Sequence, residues 1–384
     1  MMKKKLSLIL TLVLIMTMSV TAFAENVSIT KETDQKEIAG IANSFFMEKE
    51  DAFLSDGNLK IAEYYSTNDV KNIKNDSSFH LFEYEKQMRD DNYLNISDEK
   101  FEYTINSITI TDGKAIVKCY EYYEYTYKND SERSSRGTEY QLTLEKKDNK
   151  WEIVDVTSNN ELENLFKETD NVSVESQFDF DIEDESNDAA ITATSETTHE
   201  YDRTAAAQYA LDYSSSSDGT GAYNTNFPSS KADCQNFVSQ CIWAGLGGTN
   251  TATAISKKNK PMITDADRAW YCTQSGHSAT WTVVGTFRDY IAKEADNKVG
   301  LYGVRYAKNT IAKAQKGDVV QITINGKWAH SYIINKVTGT YGSRTLNDIY
   351  LCAHTTNRNN ENGALLIDLD KMDFRLIRIS GTRY

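Results

Sequence analysis

Cys234 opens the run Cys234-Gln235-Asn236-Phe237-Val238-Ser239-Gln240-Cys241-Ile242-Trp243-Ala244-Gly245, in which apolar side chains fall at 234, 237, 238, 241 and 242. That i, i+3, i+4, i+7, i+8 spacing predicts a short helix with one buried stripe, stopped by Gly245 and Gly247. Asp233 stands where an N-cap would, its carboxylate able to accept a backbone N–H one turn on, which puts the Cys234 thiol at the positive end of the helix. A thiol there ionises more easily, and the thiolate is the nucleophile of acyl transfer. The same spacing has a packing reading, because free Cys is among the most buried residue types. Cys241, two turns on and beside Ile242 and Trp243, fits packing better than chemistry.

Thiol chemistry needs an imidazole to take and deliver the proton, and a group that holds the imidazole by its other nitrogen. The chain has five His. His80 lies in the front half and His199 just before the second half, which leaves His277, His330 and His354. His277 stands in a Ser-Gly-His-Ser setting that reads as a surface loop or a substrate-side position. His330 lies in the strand-like run Trp328-Ala329-His330-Ser331-Tyr332-Ile333-Ile334, where a His is ordinarily a satisfied packing residue. His354 and Asn357 stand close together in Cys352-Ala353-His354-Thr355-Thr356-Asn357.

Asp233-Cys234-Gln235-Asn236-Phe237-Val238-Ser239-Gln240 resembles the nucleophile motif of an amidase domain family related to the NlpC-like and CHAP cell-wall peptidases. Tyr201 to Ala210 resembles the opening helix of that family. Gly317-Asp318-Val319-Val320 with Ala329-His330-Ser331 resembles the hairpin that carries the His of NlpC-like enzymes. The resemblance covers about residues 200–384. It implies a papain-like fold and a cysteine amidase or peptidase, with Cys234 as nucleophile, His330 as base and a polar third residue, which favours His354 and leaves Asn357 as the fallback. It also implies an oxyanion site, to which the Cys234 N–H would contribute. The Gln that papain-like proteases place shortly before the Cys has no counterpart between Ser214 and Asp233. Asn224 and Asn226 are the substitutes nearby, and Trp281 matches a family position that a buried aromatic would explain equally well.

The elements that must position these groups divide the chain. Met1 to Ala24 reads as an export leader, with Lys3-Lys4-Lys5, an apolar run from Leu6 to Val20 and a small-x-small site at Ala22-Phe23-Ala24. Residues 25–160 read as a small α+β domain. Its helix is expected over 31–53, and its strands over 101–110, 114–127, 137–146 and 151–156, turned at Asp112-Gly113 and Asp148-Asn149. This order resembles the cone-shaped cystatin-like and SnoaL-like folds. The tyrosines at 120, 122, 123, 125 and 127 could line a ligand cavity or simply pack a twisted sheet. Residues 161–200, rich in Asp, Glu, Ser and Thr, read as an acidic disordered linker. Residues 201–384 form the second domain, with a helix near 285–295 and a hairpin over 317–334 turned at Asn325-Gly326. The expected class is α+β throughout, helices packed on an antiparallel sheet.

Charge follows the same division. Residues 201–384 carry 21 Lys and Arg against 15 Asp and Glu, a net of +6, and residues 1–200 carry 21 against 41, a net of −20. A mildly basic second half suits an anionic target such as a cell wall. The five Cys, an odd number without a CxxC pair, argue against a disulfide framework. Cys234 and Cys241, on one helix roughly 10 Å apart, cannot pair. The His and Cys spacings match no zinc pattern, so no metal is expected, and neither is a cofactor, a nucleic-acid partner or a transmembrane anchor. The function expected is hydrolysis of an amide bond, most plausibly in exported peptidoglycan work or on a peptide. The alternatives are a catalytically silent wall-binding module, or a protein that binds a ligand or partner through its Tyr-rich front domain.

Overall fold

The computed structural model describes residues 25–54, 77–91, 96–127, 132–167, 198–214, 223–228, 233–248, 270–273, 276–294 and 300–383. The leader reading and most of the acidic linker fall outside these residues.

Alternating polar and β-branched or aromatic residues build four long strands in the front half: β1 (Ile96–Thr111), β2 (Lys114–Tyr127), β3 (Arg133–Lys147) and β4 (Lys150–Ser158). Asp112 and Gly113 have φ 48° and 75°, and Asp148 and Asn149 have φ 49° and 63°. Two successive positive φ values give the tight reversal whose twist matches antiparallel strands, which is why short polar residues and Gly stand there. Helix α1 (Glu25–Leu54) runs longer than expected and buries Ile38, Ala42, Phe45 and Phe46 against Val117, Leu142, Leu144 and Ile153. The Tyr run of β2 is consumed in packing: Tyr123 stacks on Phe101 at 4.3 Å between ring centroids, and the Tyr125 and Tyr127 hydroxyls meet at 3.1 Å.

In the second half α3 (Arg203–Tyr213) and α4 (Cys234–Gly245) lie on a sheet of β5 (Thr198–Glu200), β8 (Gly300–Arg305), β9 (Val319–Ile324), β10 (Lys327–Val337), β11 (Ile349–Ala353), β12 (Asn357–Asn362) and β13 (Phe374–Arg383). A small pair, β6 (Cys272–Thr273) with β7 (Gly276–His277), leads into α5 (Ala279–Thr282) and α6 (Val284–Glu294). The Asn325-Gly326 turn has φ 51° and 74°, and β9 pairs with β10 as the expected hairpin. Asp202 caps α3 by accepting from the N–H groups of Thr204 and Ala205.

Eleven strands form one sheet, in the order β1-β2-β3-β12-β11-β10-β9-β13-β5, with β4 on β3 and β8 on β13. The two halves are therefore joined edge to edge where Gly137 of β3 opposes Asn357 of β12. A Cβ at 137 would lie 1.7 Å from the Tyr120 hydroxyl, so a larger residue there would have to displace that ring. One face of the second half packs Phe237, Val238, Cys241 and Ile242 of α4 on Val319, Ile333, Cys352 and Ile377. The other face packs α2 (Ser77–Asp91) through Leu81, Tyr84 and Met88 on Ile322, Tyr332 and Ile334. This is an α+β architecture.

The linker does not begin at 161. Residues Glu161–Leu165 form a 3-10 turn whose Leu162 is wholly buried with Val320, Ile322 and Tyr332. Asn160 caps it, its side chain accepting from the Leu162 N–H at 3.1 Å. One buried leucine contributes roughly 2 kcal/mol of apolar burial, enough to hold a short acidic segment that composition alone would leave in water.

Behind this turn lies a buried chain of charges that spans the two halves. Arg136 of β3 bonds Glu85 of α2 at 2.9 Å and stands 3.9 Å from Glu361, while Arg358 of β12 bonds Glu361 at 2.5 Å and Glu161 at 3.0 Å. Arg358 is completely buried. Arg358→Met should therefore strand two buried carboxylates and cost about 3–5 kcal/mol. Urea unfolding checks this against Lys36→Met, at an exposed pair with Glu32, which should leave the midpoint unchanged.

Candidate active site

Helix α4 starts in a gap in the sheet. The pairing of β10 with β11 stops at Ile333 opposite Cys352, and the helix N-terminus occupies the space where the strands part. There the Cys234 sulfur is met by the backbone N–H groups of Ser331 and Gln235, and the Asp233 N–H donates to Thr355 Oγ1 at 3.2 Å. Almost every residue of α4 is buried, polar ones included, so the expected single stripe is exceeded. The polar side chains are paid for in hydrogen bonds. Gln235 Oε1 accepts from Ser331 Oγ at 2.7 Å and from Gln321 Nε2 at 3.1 Å, and Gln240 accepts from the Tyr209 hydroxyl at 2.8 Å.

Alternation along β10 decides which His reaches this point. Ser331 and Ile333 face α4, whereas His330 and Tyr332 face the other side, their rings 4.5 Å apart. His330 immediately precedes Ser331, whose backbone N–H touches the Cys234 sulfur. Its Nε2 is buried without a hydrogen-bond partner among the described residues. Glu161 Oε1 lies 4.0 Å from that nitrogen, and the Glu161 charge acts on both Cys234 and His330. Glu161 thus acts electrostatically on both Cys234 and His330, all three of them buried.

Several sequence expectations need correction. Asp233 does not cap α4 with its side chain: Oδ1 accepts from Asn236 Nδ2 at 2.7 Å, and Oδ2 is held 2.6 Å from His354 Nδ1. His354 stacks on Phe237 at 3.9 Å, on the α4 side of the sheet, and its Nε2 lies 2.5 Å from the Tyr213 carbonyl oxygen. Both of its nitrogens are taken and it lies on the face opposite His330, so it makes no hydrogen bond to that ring here. Asn357 Oδ1 accepts from Tyr223 at 3.4 Å beside the β3 crossing. Trp281 is wholly buried, its Nε1 donating to Asn236 Oδ1 at 2.7 Å and its ring packed on Trp270. That leaves no face for a substrate. Asn224 donates to the Tyr209 hydroxyl at 3.1 Å and accepts from the Asn226 N–H at 3.0 Å, which makes it a turn brace. Asn226 lies on that turn and is exposed. His277 is exposed on β7, with Thr282 Oγ1 3.4 Å from its Nδ1. The five cysteines are all buried and unbridged.

Burial also reverses the expected ionisation. It pushes the Cys234 thiol up to about 12, against the two N–H groups that favour the thiolate. It pushes His330 down to about 4, Glu161 opposing and Arg358 reinforcing the shift. Burial likewise opposes the Glu161 charge, but Arg358 and then His330 outweigh it and hold the carboxyl at about 2. Burial thus favours a neutral thiol and a neutral imidazole over the thiolate and the imidazolium. The residue that sequence reasoning missed is Glu161. It precedes Cys234 by 73 positions inside an acidic stretch and belongs to no motif, so no local signal marks it. Gln235 and Ser331 were legible as neighbours of the Cys and His, though not as partners of one another.

Residues 200–377 match the family described as Putative amidase domain. No curated protein and no solved structure matches the chain.

The His330 shift fixes a pH response of stability. With a folded value near 4 and an ordinary one near 6.5, the unfolded chain binds the proton first as pH falls, so this group's contribution is complete above about 6.5 and is lost down to about 4. The loss amounts to about 3 kcal/mol at most. Asp318, which burial raises to about 6 against the pull of Arg203, acts in the opposite sense and cancels in a comparison of variants. Urea unfolding at pH 7 and pH 4.5 should show the parent losing more stability on acidification than His330→Gln, and equal losses would contradict the buried neutral imidazole.

Proposed function

We propose, from the premise that residues 200–377 form an amidase domain, that this protein is an exported cysteine amidase of papain-like type that hydrolyses an amide bond of peptidoglycan. The observation that carries the reading is that the Cys234 sulfur, at the start of a buried helix, is met by the backbone N–H of Ser331, the residue that follows His330 on β10. His354, with both nitrogens engaged, serves instead to hold Asp233 and so the backbone that carries the thiol.

In the reaction the imidazole of His330 takes the Cys234 proton as sulfur attacks the carbonyl carbon of the scissile amide. The N–H groups of Ser331 and Gln235 stabilise the sulfur while it is anionic. The tetrahedral oxyanion collapses as the imidazolium gives its proton to the leaving amine, which leaves a thioester on Cys234. Water, deprotonated by the same imidazole, then attacks the thioester and releases the carboxylic acid and the thiol. A wall substrate is supported by the export leader at residues 1–24, by the net charge of +6 over residues 201–384 and by the wall-cutting relatives that the sequence resembles.

Digestion of purified peptidoglycan with the mature protein, followed by mass spectrometry of the soluble products, tests this and identifies the bond. Stem peptides free of sugar mean cleavage of the sugar–peptide amide, and shortened stems mean cleavage within the peptide. Cys234→Ala and His330→Ala should each lower the rate by at least roughly a hundredfold. Cys241→Ala should keep the chemistry and lose stability, since its side chain is buried in the α4 core. Undiminished release by Cys234→Ala would overturn the assignment.

A further inference from the structure

We infer that Glu161, from the 3-10 turn that precedes the amidase segment, is the positioning residue for His330, accepting a hydrogen bond from its Nε2–H and leaving Nδ1 to face Cys234. The inference rests on the Cys234–His330 reading above and extends the site beyond residues 200–377.

Two buried atoms of neighbouring side chains lack partners. His330 Nε2 and Glu161 Oε2 are both buried without a hydrogen bond among the described residues, and Glu161 Oε1 already stands 4.0 Å from Nε2. Thr356 also faces the carboxylate, its hydroxyl favouring the Glu161 charge while it donates to the Asn159 carbonyl at 3.3 Å. Buried polar atoms of this kind are rare because each costs the desolvation of an unmade bond. A small rotation of the carboxylate satisfies both at once, and hydrogen bonds at catalytic groups commonly tighten only when substrate binds.

Glu161 is also held as a positioning group must be. Its Oε1 accepts from the Tyr332 hydroxyl at 2.9 Å and from Arg358 Nε at 3.0 Å, which anchors it to the strand that carries His330 and to β12. On its own turn Leu162 is wedged into the core, and Glu163 accepts from the Ser158 N–H at 2.7 Å and from the Ser77 hydroxyl at 2.9 Å. The groups facing the imidazole are thus Glu161, Arg358 and Tyr332, and the inference sets Cys234 on the remaining side. A carboxylate on Nε2 does two things for a base: it fixes the tautomer with Nδ1 bare, and it steadies the imidazolium formed when Nδ1 takes the thiol proton. The proton moves from Sγ to Nδ1, and Glu161 remains ionised throughout.

The test uses the mature full-length protein with ¹⁵N-labelled histidine, the His330 signals being assigned by their loss in His330→Gln. The parent should show His330 with Nε2 protonated and Nδ1 bare at pH 7, and Glu161→Ala should abolish that preference. Glu161→Gln, which keeps size and hydrogen bonding but removes the charge, should lower peptidoglycan hydrolysis roughly ten- to hundredfold, part of what general-base catalysis is worth. Its acid limb should shift to lower pH, because the Glu161 charge raises the basicity of His330. Glu361→Gln removes the other carboxylate from Arg358 without facing His330, so it should lower the melting temperature and leave rate and pH profile unchanged. A parent His330 protonated on Nδ1, or a tautomer indifferent to Glu161→Ala, overturns the inference whatever the activity. So does a Glu161→Gln that matches Glu361→Gln in every readout. Hydrolysis surviving in Cys234→Ala would instead sink the proposed function, while the tautomer still decides the role of Glu161.

Discussion

Two buried arginines hold this structure together. Arg136 reaches from the front sheet to Glu85 and Glu361, and Arg358 reaches from the second half to Glu361 and Glu161. Neither cation can be solvated where it stands, so each requires its carboxylates within hydrogen-bond distance. The carboxylates come from α2, from the 3-10 turn and from β12, that is, from both sides of the boundary that the sequence suggests. Charges that cannot be left unpaired therefore fix how the two halves sit, and the strand pairing of Gly137 with Asn357 fixes the same geometry a second time. Asn160 ties into the network as well, donating to Glu85 at 2.8 Å while its carbonyl oxygen caps the 3-10 turn.

The site depends on that constraint. Helix α4 and the β9–β10 hairpin place Cys234 and His330 from within the second half, but the carboxylate facing His330 arrives on a turn from the front half, pinned by Arg358. Burial then sets the chemistry. A thiol at a helix start in open water would ionise readily, as the sequence suggests, because helix dipole and amides favour the anion. On burial the loss of hydration outweighs those terms and favours the neutral thiol. Burial favours the neutral form of His330 as well.

Wherever chemistry is carried by neighbours in sequence, the sequence was enough. The α+β class, α4 from Cys234 to Gly245, the turns at Asp112-Gly113, Asp148-Asn149 and Asn325-Gly326, and the antiparallel hairpin that carries His330 all follow from local periodicity and from backbone conformations that only certain residues adopt. The amidase family that residues 200–377 match was legible as a resemblance, carried by the eight residues Asp233 to Gln240.

Tertiary structure alone decided which side of the sheet each side chain faces at the parted end of β10 and β11, and which distant residues meet there. His354 and His330 are 24 positions apart, yet His354, in the turn between β11 and β12, meets Phe237 and Asp233, while His330, on β10, faces Glu161. Composition placed Glu161 in a solvated linker, because an acidic stretch has no way to register in its own residues that an arginine nearly two hundred positions later needs a partner. Local preferences are summed over neighbours in the chain. The pairing of buried charges is summed over neighbours in space, and only the fold supplies those.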